Sequence, residues 1–392
     1  MKIAKRIQNV SPSLTLAITS QAKALQQQGE SVINFAGGEP DFDTPEYIKK
    51  AAVAAIKAGF TKYTPATGYL ELKQVIARKL AQDNLLNYTP AQIVVSCGAK
   101  HTIYNIIQAL CEKDDEVIIF APYWVSYPQM VELAGARLKV IETSAERGFK
   151  PDKKALASSI TKKTKLLILN SPANPCGSVY SRQELKQIAQ IATKHKLYVV
   201  CDEIYEKLIF DKKKHVSYAS LSEQTFKQSI VVNGLSKAFA MTGWRIGYLA
   251  CANERIVQAI AKLQSHSTSN PCSISQKAAT AALKHVKKNQ IRKIVKEFQS
   301  RRDCMVAGLE KIAGLVPVKP EGAFYVFCRI AETGLNSIDF SRRLLEEVKV
   351  AVIPGEAFGR DDYVRLSFAT SKKQIEEGIR RIKKWADGLH HS

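Results

Sequence analysis

No apolar run in the sequence approaches the about 20 residues that a bilayer-spanning helix needs, and Met1-Lys2-Ile3-Ala4-Lys5-Arg6 leads into no apolar stretch. Neither a membrane anchor nor a secretory leader is expected, and the expected location is the cytoplasm. Cys-x-x-Cys is missing as well: the eight cysteines stand at 97, 111, 176, 201, 251, 272, 304 and 328, several inside strand-like runs. That spacing argues against a zinc site and a disulfide framework, and leaves inert thiols. Gly-x-x-x-x-Gly-Lys-Ser/Thr and Gly-x-Gly-x-x-Gly do not occur, which removes the Walker loop and the dinucleotide fingerprint. There is no internal repeat and no low-complexity tract, and His390 and His391 are too few to form a tag. Acidic residues are scarce, 36 against 58 Lys and Arg, for a net charge of +22. Such a surplus raises the question of nucleic acid. The basic residues are scattered, however, with no cluster longer than Lys212-Lys213-Lys214, and no zinc-finger spacing, RNA-recognition signature or helix-turn-helix segment accompanies them. A solvated surface that attracts small anions is the expectation, with no nucleic-acid or membrane partner.

What is present is a chain of 392 residues, 45% hydrophobic, longer than one core usually serves. Two subdomains on one framework are expected. An amphipathic stretch from Ser13 to Gln28 predicts a helix ending at Gly29. Gly37, Gly38, Pro40 and Pro45 then impose a loop, and helical patterns follow from Pro45 to Lys57 and from Leu70 to Asp83 around a second loop, Thr61 to Gly68. From residue 91 onward short apolar runs alternate with helical segments: Ile93–Ser96, Val117–Phe120, Leu138–Ile141, Lys165–Leu169, Leu197–Cys201, Ile230–Asn233 and Tyr248–Cys251. Strands separated in this way imply an α/β fold with a largely parallel sheet covered on both faces. One long helical pattern, from near Ile274 towards Leu309, reads as the bridge into a smaller carboxyl-terminal domain. There Tyr325–Phe327, Ala351–Ile353 and Val364–Phe368 read as strands and Lys373–Leu389 as a closing helix. The expected division is an amino-terminal segment, 1–44, packing with the small domain; a large domain, 45–285; and the small domain, 286–392.

The chain is organised around Val231–Gly247. The β-branched run Ile230–Val232 breaks at Asn233-Gly234 and delivers Lys237 among small and apolar neighbours. A lone lysine after a strand is usually a solvated surface residue. Burial, however, lowers an ammonium pKa and turns an amine into a nucleophile towards an aldehyde. Eight residues on, Arg245 adds a permanent cation suited to a phosphate. An amine nucleophile beside an anion clamp fits pyridoxal phosphate.

Gly234-Leu235-Ser236-Lys237 through Gly243-Trp244-Arg245-Ile246-Gly247 resembles at each position the lysine signature of the class I aminotransferases. The resemblance implies a fold-type I pyridoxal-phosphate-dependent transferase. Its large domain is a three-layer α/β/α sandwich on a mainly parallel seven-stranded sheet, with a smaller α+β domain beside it. Lys237 would carry the cofactor as a Schiff base and shuttle the substrate proton. Asp202, at the end of an apolar strand where an unpaired charge is costly, would meet the protonated pyridine nitrogen. Tyr205 and Asn174, the latter in an Asn-Pro-x-Gly turn, would serve the phenolic oxygen, and Trp124 would stack on the ring. The turn Gly98-Ala99-Lys100 at a helix start, with Ser236 and Arg245, would hold the phosphate, and Tyr63 would reach it across a homodimer interface. Gly38, in Gly-Glu-Pro-Asp-Phe, and Arg365, in Val-Arg-Leu-Ser, would hold the substrate α-carboxylate, with Trp124 and Asn174 at the same place. Lys100, with Ser13 or Thr15, would bind a side-chain carboxylate, or Lys100 would serve only the phosphate turn. Glu203 reads as structural. Subgroup likeness points to the bacterial aspartate aminotransferases, hence to aspartate and 2-oxoglutarate exchanging an amino group in ping-pong fashion. Aromatic amino acids or prephenate are the alternative substrates, and a lyase on the same fold the alternative reaction.

Overall fold

The computed structural model describes residues 2–389; Met1 and residues 390–392, with the two histidines noted above, lie outside them. Strand β1 (Ile33–Asn34) precedes the seven strands of the principal sheet: β2 (Ile93–Ser96), β3 (Glu116–Ala121), β4 (Arg137–Glu142), β5 (Thr164–Asn170), β6 (Tyr198–Asp202), β7 (Ser229–Gly234) and β8 (Gly247–Cys251). Their order is β2-β8-β7-β6-β5-β3-β4. β8 pairs antiparallel with both neighbours, and the other pairings are parallel. Six strands therefore present their carboxyl ends along one edge, where open α/β sheets place their ligands.

Alternate side chains serve opposite faces. Val200, Ile230 and Val232 pack with Ile103, Ile106 and Ile260 on one side; on the other, Val231 and Tyr248 meet Leu72 and Ala278, and Val199 and Cys201 meet Leu185 and Ile188. Each fully buried Val or Ile stabilises the sheet by about 1.5–3 kcal/mol. Burial on both faces is the reason these strands read as continuous apolar runs. Among the flanking helices, Arg182–Lys194 opens with a reciprocal cap: Glu184 N donates to Ser181 Oγ at 3.3 Å and Ser181 N to Glu184 Oε2 at 2.6 Å.

The carboxyl-terminal strands are β9 (Val316–Val318), β10 (Tyr325–Arg329), β11 (Val350–Ala351), β12 (Ile353–Pro354) and β13 (Tyr363–Ser367). β12-β13-β10-β9 form an antiparallel sheet, and β1 pairs parallel with β11. The expected single strand Ala351–Ile353 is thus two short strands, because its two halves pair with different partners. The helix Leu14–Gln27 buries Ala22 against a cluster that includes Phe327, Leu345 and Ile353.

The expected continuous helix from Ile274 to Leu309 is broken. Helices Ser273–Lys284 and Lys288–Leu309 are separated at His285–Lys287, where His285 adopts φ −116°, ψ 38°. The first helix buries Ala278, Ala279 and Ala282 in the core beside the principal sheet, while the second sends Phe298, Met305 and Leu309 into the core around β10. One straight rod cannot serve both cores, and packing overrides local propensity there. Among the described residues, no helix is long and apolar enough to cross a membrane.

Candidate active site

A cavity of about 440 Å³ opens at the carboxyl edge of the principal sheet. Lys237 stands in its floor, three residues past β7, and its Nζ donates to the carbonyl oxygen of Gly38 at 2.5 Å. The side chain keeps some surface open to the cavity but is enclosed by protein; burial, aided by the Arg365 guanidinium, lowers the amine to about 8. Roughly a tenth of such an amine is uncharged at pH 7, far more than for a solvated lysine.

Asp202 ends β6 and is buried. Its Oδ2 accepts from the Tyr127 hydroxyl at 2.7 Å, and Oδ1 from Ile204 N at 3.3 Å. Among the described residues no cation forms an ion pair with it, and burial pushes the carboxyl up to about 6 against the pull of the Tyr127 hydrogen bond. Tyr205, one turn on, shares a 2.9 Å hydrogen bond with the hydroxyl of Tyr325.

Arg365 crosses the cavity from β13 and is 3% exposed. Its Nη1 donates to Asn174 Oδ1 at 3.2 Å and Nη2 to Ala36 O at 2.9 Å, and its plane lies 4.3 Å from the Tyr325 ring centroid. Nε is buried with no hydrogen-bond partner, and no carboxylate pairs with the guanidinium among the described residues. A planar fork with a spare donor suits an incoming carboxylate.

The segment that follows β1 links these parts. Phe35 O accepts from Ser367 N at 2.8 Å, Ala36 O from Arg365, and Gly38 O from Lys237. A Cβ on Gly38 would sit 3.6 Å from the Tyr325 hydroxyl.

A second cationic corner lies at the start of helix Ala99–Leu110. Gly98 caps it at φ +92°, and a Cβ there would come within 2.6 Å of Arg245 Nη2, so glycine alone fits. Arg245 is held by Thr242 O at 2.9 Å and Cys97 O at 3.4 Å. The first-turn amides of this helix, Ser236 and Arg245 together form a donor set for a phosphate. Lys100 reaches over the Trp124 ring, 5.1 Å from its centroid.

A family model described as aminotransferase class I and II matches residues 30–382. The chain belongs to this family of aminotransferases. It is 46% identical over 392 residues to an aspartate aminotransferase of Bacillus subtilis, covering 99% of each chain. To a probable aspartate/prephenate aminotransferase of Aquifex aeolicus it is 43% identical, covering 97% of this chain and 98% of the other. Among solved structures, the aspartate aminotransferase from Thermus thermophilus with maleate superposes with a TM-score of 0.94 at 39% identity, covering 98% of this chain and 99% of that one.

The aminotransferase brings most of the residues singled out in its sequence to one cavity. Gly38, Ala99, Lys100, Trp124, Asn174, Asp202, Tyr205, Ser236, Lys237, Arg245, Arg365 and Thr15 line it. Gly98 lies behind the lining as the helix cap. Ser13 does not reach the cavity: its Oγ accepts from Leu16 N at 3.4 Å and bonds Thr15 Oγ1 at 2.9 Å, capping the amino-terminal helix. Tyr63 is also outside it, 90% exposed on the surface. Sequence reasoning missed Tyr127 and Tyr325. The available signal for Tyr127 was its place three residues after Trp124, on the same face of a helical turn. Tyr325 carried only a polar tip on an apolar strand.

Proposed function

We propose that this aminotransferase uses pyridoxal 5′-phosphate to exchange the amino group of aspartate with 2-oxoglutarate, giving oxaloacetate and glutamate. The observation that carries the reading is the juxtaposition of a buried, near-neutral amine, a buried carboxylate without a cation and a buried arginine without a carboxylate. When bound, the cofactor supplies the aldehyde that takes up the amino group and the cationic ring that accepts the electrons of the departing α-proton. Lys237 would hold its aldehyde carbon, and Nζ, once displaced by substrate, moves a proton to and from the substrate α-carbon. Asp202 would pair with the pyridine nitrogen, Tyr205 and Asn174 would bond the phenolic oxygen, and Trp124 would stack on the ring. Gly98, Ala99, Lys100, Ser236 and Arg245 would seat the phosphate. Arg365 binds the substrate α-carboxylate next to Gly38, which fixes the α-carbon relative to Nζ.

For the side-chain carboxylate we assign Lys100 with Thr15; both line the cavity, and the Thermus structure is one with maleate, a dicarboxylate. Prephenate is a second candidate substrate, favoured by the likeness to the probable aspartate/prephenate aminotransferase of Aquifex aeolicus. The active unit is a homodimer in this reading, supported by Val53, Ile56, Leu70 and Tyr63, large apolar or aromatic side chains exposed on neighbouring segments. Tyr63 of the partner subunit would then complete the phosphate seat. The division at residues 44/45 and 285/286 is supported by sheet membership and by the helix break at His285–Lys287. Free thiols at all eight cysteines suit the reducing cytoplasm.

The test mixes purified protein with aspartate and 2-oxoglutarate and follows glutamate and oxaloacetate, with tyrosine, phenylalanine and prephenate as competitors. Exchange with aspartate is expected. No exchange with any pair defeats the reading, and release of pyruvate or ammonia instead marks a lyase.

A further inference from the structure

Behind the cavity wall lies a set of buried charges that touches neither substrate nor cofactor. In the turn after β6, Asp202, Ile204 and Tyr205 face the cavity. Glu203 and Glu206 point the opposite way, and their side chains are 3% and 7% exposed. Asn84, at the end of helix Leu70–Asn84, donates Nδ2 to Glu206 Oε2 at 2.8 Å and to Glu203 Oε2 at 3.3 Å. Lys79 Nζ donates to Asn84 Oδ1 at 2.7 Å and forms an ion pair with Glu206. Ser217 Oγ donates to Glu203 Oε1 at 2.6 Å, and His215 Nε2 lies 3.0 Å from Glu203 Oε2 in an ion-pair contact without hydrogen-bond alignment. Asp83, 3.9 Å from Lys79, is itself bridged to Lys207 at 2.7 Å.

Glu203, Glu206 and His215 offer ligand atoms within 4.8 Å of one another, the spacing of a cation site. The chain fills that electrostatic need itself, with the ammonium of Lys79. Burial would lower the His215 pKa, but Glu203 and Glu206 overcome it and raise the pKa above the ordinary value. Two carboxylates thus face the Lys79 ammonium and the His215 imidazole, and the cluster is closed upon itself.

An independent observation links this cluster to the Lys237 segment. A cavity of about 20 Å³ has both Lys79, Glu206 and Ile204 and Asn233, Gly234 and Ala238 in its lining. Asn233 is buried; its Oδ1 accepts from Gly234 N at 2.7 Å, while Nδ2 has no partner. A cavity of this size has room for one water molecule; most of its wall is apolar, and its polar lining comes from Lys79, Asp83, Glu206, Lys207 and Asn233, whose Nδ2 is an unpartnered donor.

We propose that Glu206, neutralised by Lys79, is a positioning residue for the reaction: it fixes Tyr205 through their shared turn and the Lys237 segment through one water bridging Glu206 to Asn233. This rests on the assignment of Tyr205 and Lys237 above. Glu206→Gln removes the charge and keeps the shape; adding Lys79→Met to it removes the ammonium that would otherwise be left alone.

The experiment compares parent holoenzyme with both variants by circular dichroism, by kcat and KM for aspartate and 2-oxoglutarate, and by the pH at which the absorbance of bound cofactor changes. Failure of the parent to exchange amino groups would count against the functional reading alone, since the absorbance titration needs no turnover. The expected result is folded protein with kcat lowered about tenfold and KM within about twofold of the parent in both variants. In Glu206→Gln the absorbance midpoint moves down by about half a pH unit, because the Lys79 ammonium is left unanswered and disfavours a proton on the Lys237 nitrogen. A high-resolution crystal structure is expected to show the water within reach of Asn233 Nδ2. A folded variant with the parent's kcat and midpoint overturns the positioning role, as does loss of fold in both variants; a dry cavity overturns the bridge.

Discussion

Two buried carboxylates four residues apart, Asp202 and Glu206, are treated in opposite ways. Asp202 faces the cavity without a cation and is pushed up to about 6 by burial. Glu206 faces the scaffold; burial would raise it too, but Lys79, Lys207 and His215 pull it down to about 2. Two buried arginines repeat the contrast. Arg302, with a fully buried side chain, grips Asp211 and Asp303, whereas Arg365 grips neutral oxygens and keeps Nε spare. In the scaffold each charge is answered from within the chain. In the cavity the answering charge is left for a ligand to bring, and that difference separates function from structure more sharply than burial does.

The largest effect that would test this contrast is expected from Lys237→Ala. Exchange should fall by at least about four orders of magnitude. Borohydride reduction followed by peptide mass analysis should place the cofactor adduct of the parent on the Lys237 peptide; an adduct elsewhere breaks the scheme.

Asp202→Asn should lower kcat about a thousandfold, yet make the cofactor-free protein more stable at pH 7. The sign follows from the raised pKa. The contribution of Asp202 is fully present below its ordinary value of 3.8 and is lost as pH rises through about 6. The gain, on the order of 2 kcal/mol, is readable by thermal melting across pH. Glu206 has the reverse dependence: its contribution is present above 4.5 and is lost as pH falls towards about 2.

Replacing each arginine by lysine sharpens the second contrast. Arg365→Lys should cost about a hundredfold in kcat/KM for every amino acid, with little change in melting. Arg302→Lys should lower the melting temperature and leave KM alone.

The fold was legible where burial on both faces made strands apolar throughout, as in β3, β6 and β7. It was not legible at β9, a half-buried three-residue strand containing Pro317, nor at His285–Lys287, where two cores rather than a glycine or proline break the helix. Most cavity residues were legible because they sit in short motifs at strand exits; Arg365, within β13, and Thr15, in the amino-terminal helix, were reached through the family resemblance. Tyr127 and Tyr325 were not, because their partners, Asp202 and Tyr205, lie 75 and 120 residues away. Glu203, read as structural, is bonded to Asn84 and Ser217 and is absent from the cavity lining.

The smallest expected effect separates Ser13 from its neighbour. Ser13→Ala should cost about 1 kcal/mol or less of helix stability and leave the KM for aspartate unchanged. Thr15→Ala should raise that KM a few-fold, roughly the worth of one hydrogen bond. Equal effects on KM would erase the distinction.

The backbone just past β1 is stitched to β11 and β13 at one end and to the reactive amine at the other. It acts as a tether of fixed length, so the outlying sheet cannot slide without tugging the carbonyl that steadies that amine. The carbonyl that receives Arg365, on Ala36, and the one that receives Lys237, on Gly38, are two residues apart on that tether, so the carboxylate seat and the amine share one short piece of main chain.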